Sequence, residues 1–408
     1  MAIDTTSTHT DDAPSPVGTP GRIGIGMIGY AFMGVAHSQG WRNARSFFDP
    51  ALVPDLVAVG GRDAEAAGDM ARRFDWQHVE TDWRALIARP DVDLVDICTP
   101  GDTHAEIAIA ALEAGKHVLC EKPLANTVAE AHAMAEAAER ARARGIRSMV
   151  GFTYRRVPAI SYARRLVEEG LLGRIVHVRG AYLQDWLVDP ESPLTWRLQK
   201  ERAGSGALGD VGAHIVDLAQ FITGDTIATV TGRLETFVKE RPLPAESHTG
   251  LSGTADSIER GPVTVDDAAA FLAHFRSGAL GVFEATRFAN GRKNAIRIEV
   301  NGSRGSLAFD FEDMNVLHFH DGDLDSETAG FRRILATEPE HPYVAAWWPP
   351  GHLLGYEHAF THQVVDLVSD IARGSDPAPS FADGLQVQRV LAAVEASSLS
   401  STWHDIPA

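Results

Sequence analysis

No run of apolar residues in this sequence approaches the roughly 18–20 needed for a helix to cross a bilayer. Cysteine is almost missing. Among 408 residues only Cys98 and Cys120 occur, each ending a predicted buried strand. That argues against a disulfide-built secreted scaffold and for two small core residues in a reducing cytoplasm. Positive charge is scarce too: 37 Lys and Arg stand against 55 Asp and Glu, a formal net charge of −18. Such a balance repels phosphate backbones and anionic lipid, so neither nucleic acid nor a membrane surface is an expected partner. No internal repeat or coiled-coil heptad emerges, and no metal site is expected. The first residues, "MAIDTTSTHTDDAPSPVGTP", lack the basic and apolar regions of a secretory signal. Met1–Gly21 therefore reads as a disordered tail.

What is present is the composition of a globular protein, 44% hydrophobic and 23% charged, with length enough for about two domains. From Arg22 onward, short apolar runs alternate with helical stretches. "RIGIGMIG", "DLVAVGG", "DLVDICTP", "HVLCEKP" and "RSMVGFTY" read as strands. Strands apolar on both faces and spaced by helices predict a parallel sheet covered on both sides. Ligands bind such sheets beyond the carboxyl ends of the strands. After Gly151 the rhythm changes. A long alternating strand, "GRIVHVRGAYLQDW", a glycine-rich helix start and several hairpins with Gly-containing turns predict a mostly antiparallel sheet. The expected organisation is a nucleotide-binding domain over residues 22–152 and a second α/β domain over 153–408.

The segment Gly29-Tyr30-Ala31-Phe32-Met33-Gly34 follows the first strand and opens a helix. It fits G-x-G-x-x-G except at Ala31. Gly29 suits the tight turn and Gly34 the close helix–strand packing, and the helix N-terminus would face a pyrophosphate. Alanine is tolerated at the middle position if its φ is negative. The second strand ends in Gly60, Gly61 and Arg62 where an acid would normally accept the ribose hydroxyls. Arg62 could pair with a 2′-phosphate or lie across an adenine face, or simply be solvated.

In "GALGDVGAHIVDLAQFITG", Asp210 and His214 stand at i and i+4 on one helix face, with Asp217 placed to hold the imidazole. Gly204, Gly206, Gly209 and Gly212 thin this helix start as though backbone must approach a ligand. Oxidising a secondary alcohol needs a hydride acceptor, a base for the hydroxyl proton, and a cation beside the oxygen. His214, Lys122 and Asp210 are the residue types that such chemistry requires.

"DICTPGDTHAEIAIAALEAGKHVLCEKPLA" and "GALGDVGAHIVDLAQFITG" resemble the Gfo/Idh/MocA oxidoreductases, and the likeness runs from about Arg22 to the end. The resemblance implies an N-terminal Rossmann domain and a C-terminal α/β domain with a large open sheet. In that family the back of the sheet often joins subunits, implying a homodimer or homotetramer. It also implies that Lys122 contacts the nicotinamide ribose and substrate, Asp210 the reacting sugar, and that His214 is the acid/base. Thr99, Pro100 and His104 would line the middle of the cofactor, with Glu121 near the nicotinamide ribose. The Lys-Pro bond is often cis in such enzymes. Ala31 and Gly61 depart from the usual pattern and leave NAD or NADP open, with NAD ahead.

"YLQDWLVDPESPLTWRLQK", "HPY" and "PSFADG" are similar to the family's glycoside 3-dehydrogenase branch, which oxidises C3 of glucose-like rings. Gln184, Asp185 and Trp186 offer an amide, a carboxylate and an aromatic face to a pyranose, though "QDW" also suits a strand end with a buried tryptophan. Trp196 and Arg197 could reach nicotinamide or substrate. Tyr154 is a further sugar-contact candidate, and "WWPP" reads as a lid or a subunit contact. The expected function is an NAD(P)-dependent dehydrogenase of a sugar, glycoside or cyclitol. Alternatives are a transhydrogenase or glycoside-cleaving enzyme that retains its nicotinamide, and a non-catalytic nucleotide or sugar sensor.

Overall fold

The computed structural model describes residues 21–244 and 259–407; all but the last residue of the expected N-terminal tail lies outside them. Six strands, β1 (Gly21–Ile28), β2 (Leu52–Gly60), β3 (His78–Glu80), β4 (Leu94–Ile97), β5 (His117–Cys120) and β6 (Ser148–Val150), form one parallel sheet. Its order is β3-β2-β1-β4-β5-β6. Residues 23–28 of β1 and all of β4 are buried, which is why these strands read as unbroken apolar runs rather than alternating ones. Between them run helices α1 (Phe32–Phe47), α2 (Ala64–Phe74), α3 (Trp83–Ala88), α4 (His104–Glu113) and α5 (Val128–Arg142). Local chemistry sets several starts. Asp63 accepts from the amides of Glu65 and Ala66 to cap α2, and Thr127 with Glu130 forms a capping box on α5. The strand order reverses between β1 and β4, so a crevice opens beyond their ends.

The chain then enters α6 (Pro158–Glu168) and a nine-stranded sheet. It comprises β7 (Ile175–Leu183), β8 (Ile227–Glu235), β11 (Ala268–Phe275), β12 (Leu280–Thr286), β13 (Ala295–Gly302), β14 (Gly305–Asp310), β15 (Val316–Asp321), β16 (Arg332–Leu335) and β17 (His404–Asp405). A separate ribbon pairs β9 (Glu240–Pro242) with β10 (Arg260–Pro262). In the large sheet only β7 and β12 pair in parallel; its other neighbours are antiparallel. Buried and exposed residues alternate over 269–275 of β11 and 280–285 of β12, which marks one face packed and one open. After the short α7 (Lys200–Ala203), helix α8 (Ala213–Thr223) lies on the packed face. A Cβ on Gly180 of β7 would come within 2.6 Å of Ile215, so the glycine admits the helix.

The last two helices, α9 (Tyr356–Arg373) and α10 (Phe381–Ser400), come from well beyond residue 152. Val364, Leu367 and Val368 of α9 nevertheless join Met27 and Trp41 in one apolar cluster beside the parallel sheet. A Cβ on Gly40 of α1 would meet the backbone of Phe360 at 3.0 Å, so the two helices cross at a glycine.

Candidate active site

A cavity of about 1190 Å³ runs from the tips of β1, β2, β4 and β5 to the start of α8. At its nucleotide end, Gly29 takes φ +114, and a Cβ there would lie 2.7 Å from the Cys98 carbonyl. A Cβ on Gly34 would lie 2.3 Å from the Gly29 carbonyl. Gly29 therefore serves the turn and Gly34 the packing, and Gly34 itself does not line the cavity. Ala31 has φ −78 and precedes α1 without any side-chain cap, leaving the first amides of the helix facing the cavity with Phe32 and Met33. These uncapped amides on a glycine turn fit a dinucleotide pyrophosphate. The ring of Tyr30 lies against Gly61, where a Cβ would be 2.1 Å from it. Tyr30 thus fills the space of the usual acidic side chain, and exposed Arg62 stands beside it.

Along the middle, Thr99, Pro100 and His104 line the wall. His104 reaches the carbonyls of Thr99 (2.9 Å) and Pro123 (3.0 Å), bracing the β4 and β5 tips. The Lys122–Pro123 bond is cis. Glu121 borders the cavity, but its carboxylate turns inward, accepting from His37 Nε2 (2.9 Å) and the Lys122 amide (3.1 Å).

The two halves of the chain meet at Lys122. Its Nζ donates to the Asp210 carbonyl (2.7 Å) and lies 3.3 Å from Asp210 Oδ1. Leu208–Gly212 forms a wide π-helical turn ahead of α8, carrying Asp210 on the turn and His214 one step into the regular helix. Asp266 caps this start, accepting from the Gly206 and Leu208 amides at 2.7 Å. The glycines sort by role: a Cβ on Gly206 would meet the Asp266 carbonyl at 1.7 Å, so packing demands it, whereas Gly209 faces the cavity.

Burial opposes ionisation of Asp210, but Lys122, Arg287 and Arg197 together outweigh it and hold the carboxyl far below its usual range. Arg287 is fully buried, 3.6 Å from Asp210 Oδ2. No sequence signal marked it. Arg197 packs its guanidinium over Trp196 at 4.4 Å, and both line the cavity. Burial, reinforced by the Lys122 charge and only partly opposed by Asp210, pushes the His214 imidazole well below 6.5. His214 packs edge-on against Tyr154 at 4.7 Å.

Two expectations need correction. Asp217 does not hold His214; it binds Arg155, accepting from Nε at 2.8 Å and Nη2 at 2.5 Å. A carboxylate this deeply buried takes the guanidinium in preference to an imidazole that is itself kept neutral. Asp217→Ala should therefore lower unfolding free energy by about 3–5 kcal/mol, read as an earlier urea midpoint at unchanged slope. A negligible change would show that the pair does not tie α8 to the chain leaving β6. The second correction is Asp185, which binds Lys293 Nζ (2.7 Å) and the Gly291 amide (3.0 Å) outside the cavity.

Asp185 lies beyond the end of β7, where the chain enters a turn (the Val188 amide donates to the Asp185 carbonyl at 3.2 Å); its neighbours Tyr182, Gln184 and Trp186 share the face that lines the cavity. On that face Trp186 Nε1 donates to Gln184 Oε1 (2.8 Å), and Gln184 Nε2 donates to Asn294 Oδ1 (2.8 Å). The Tyr182 hydroxyl donates to Asn294 Oδ1 (2.6 Å) and contacts that of Tyr154 (2.9 Å). Tyr182 and Asn294 were not anticipated; the period of two could have found the first. Phe47 and Phe48 pack against Trp347 of the "WWPP" segment, which is thus bound to the end of α1 within this chain.

Residues 23–151 match the oxidoreductase family's NAD-binding Rossmann fold, and residues 160–308 the GFO/IDH/MocA C-terminal domain. Levoglucosan dehydrogenase of Pseudarthrobacter phenanthrenivorans is 43% identical over 94% of this chain and 98% of its own. A crystal structure of an oxidoreductase domain protein from Kribbella flavida is 73% identical, with TM-score 0.91, covering 95% of this chain and all of that one. A levoglucosan dehydrogenase complex with NADH and levoglucosan is 41% identical, with TM-score 0.88 and coverage of 95% and 100%. With a glycine turn and uncapped helix shaped for a dinucleotide and a matching second domain, the chain belongs to the Gfo/Idh/MocA oxidoreductases, an enzyme family with an NAD-binding Rossmann domain.

Proposed function

We propose that this protein is an NAD-dependent dehydrogenase oxidising a secondary hydroxyl of a sugar, glycoside or cyclitol, with C3 of a glucopyranose-like ring as the reacting position. The observation that carries the reading is the meeting of Lys122, Asp210 and His214, from both halves of the chain, at one cavity. The likeness to levoglucosan dehydrogenase supports the anhydrosugar and glycoside class.

A bound nicotinamide supplies the hydride acceptor. The chain supplies everything else. Neutral His214 takes the hydroxyl proton, because an imidazole with a depressed pKa is already in its accepting form at neutral pH. The Lys122 ammonium stabilises the negative charge that develops on the same oxygen. Ionised Asp210 holds that ammonium and receives a neighbouring hydroxyl. Thr99, Pro100 and His104 flank the middle of the dinucleotide, and Trp196 and Arg197 close the cavity near its reacting end. Gln184, Trp186 and Tyr154, fixed by Tyr182 and Asn294, present amide, indole and phenol groups to the ring.

Purified protein should reduce NAD⁺, and NADP⁺ more slowly, in the presence of levoglucosan or alkyl glucosides. The test is absorbance at 340 nm against a panel that also holds glucose and inositols, with the carbonyl placed by NMR. Nucleotide binding without turnover on any compound would favour a sensor and overturn the reading.

A further inference from the structure

Beneath the cavity lies a buried ionic array that the reaction above does not use. His37, on α1, is fully buried. Its Nδ1 stands 2.9 and 3.0 Å from the two carboxylate oxygens of Asp96, and its Nε2 stands 2.9 Å from Glu121 Oε1. Asp96 is fully buried as well, and also accepts from Trp41 Nε1 at 2.7 Å. An imidazolium that donates from both ring nitrogens satisfies a carboxylate at each of them without protonating either acid. Burial works against that charge, yet Asp96 and its hydrogen bond raise the pKa of His37 well above 6.5.

The array reaches the reaction centre through the backbone. Glu121 Oε2 accepts from the amide of Lys122, the residue whose amine meets Asp210. Room for this carboxylate exists because residue 151 is glycine; a Cβ there would lie 2.5 Å from Glu121 Oε1. The groups around the imidazole are few. β4 supplies Asp96 and, one residue past its end, Cys98; β5 supplies Cys120 and, one residue past its end, Glu121; from α9 the ring of Phe360 lies 5.3 Å away.

We propose that His37 is a positioning residue: gripped between Asp96 and Glu121, it fixes the Glu121 carboxylate against the Lys122 amide and so aims the Lys122 amine at the reacting oxygen. The assignment rests on the dehydrogenase reading above. Without His37 two buried carboxylates face each other with no cation between them, and Glu121 turns away or takes up a proton. The amide of Lys122 then loses its acceptor, and the lysine loses its fixed approach.

The test is a double-mutant cycle with a separate look at the ring. His37→Gln and Glu121→Gln are each expected to lower kcat about tenfold, with sugar KM and the NADH dissociation constant changed less than about threefold. The double variant should be no worse than the poorer single one, because both break the same connection. Additive losses, or wild-type turnover in either single variant, would overturn the proposal. If His37→Gln does not fold, Glu121→Gln decides alone, since it leaves the His37–Asp96 pair in place. Nitrogen NMR of the unliganded protein needs no substrate: both ring nitrogens of His37 should stay protonated across the neutral range, where an ordinary histidine has lost one proton. Release of either proton in that range also overturns the assignment. A failed sugar panel would remove the dehydrogenase reading, while the nitrogen measurement still judges the array.

Discussion

Lys122→Met will lower turnover of the sugar substrate by roughly a thousandfold, the loss expected when a fixed charge donor at a developing oxyanion is removed. Methionine keeps the length and most of the volume of the stem, so the cavity wall stays filled and NADH affinity should fall by less than about tenfold. The consequences then spread through the site. Asp210 loses the strongest of the three cations that oppose its burial, leaving Arg287 and Arg197, so its pKa rises. His214 loses a positive neighbour that keeps it neutral, so its pKa moves up toward the ordinary 6.5. The residual activity should therefore fall off on acidification at a higher pH than in the wild type. The variant is assayed by the initial rate of NADH formation across pH, beside a fluorescence titration with NADH. Turnover within tenfold of wild type would remove Lys122 from the reaction, since among the described residues no other cation that meets Asp210 comes from the nucleotide half of the chain.

Much of this site was legible because its parts are local in sequence. The turn at Gly29, the strand tip at Lys122 and the helical pair Asp210 and His214 each need only short-range periodicity and a few glycines. Both sheets follow from the same source: unbroken apolar runs for the parallel one, alternation and turn glycines for the antiparallel one. What stayed hidden depends on chain segments meeting from a distance. Arg287 follows β12 and looks like any charged residue leaving a strand, yet it is fully buried and helps set the charge state of Asp210. Asp217 sits within one turn of His214 and invited a local pairing, but a guanidinium 62 residues earlier in the chain takes it. The π turn at Leu208–Gly212 and the return of α9 across α1 leave no pattern in composition or spacing. Asp185 is the instructive exception. It stands just past the end of β7, where the chain turns and neighbouring side chains part, and a motif read as three consecutive letters obscured that geometry.

Removing the base tests the opposite side of the same reaction. His214→Ala is expected to lower turnover by roughly a hundredfold or more while leaving the NADH dissociation constant nearly unchanged, since general-base loss acts on the chemical step. Packing complicates that change little, because the ring is held by edge contacts with Tyr154 and Phe152 and a tilted one with Tyr182 rather than by hydrogen bonds among the described residues. The wild-type pH profile carries the sharper prediction. An ordinary histidine base would give an acid limb near 6.5, but burial together with Lys122 holds His214 well below that value. Activity should stay flat as pH drops through 6.5 and fall only once the imidazole at last takes a proton. In the alanine variant that limb should vanish, leaving a slow rate that rises with hydroxide or with added imidazole. An acid limb at 6.5 in the wild type would mean that the ring is more open to water than its burial allows. A limb that persists unchanged in the alanine variant would assign the titration, and the base, to another group.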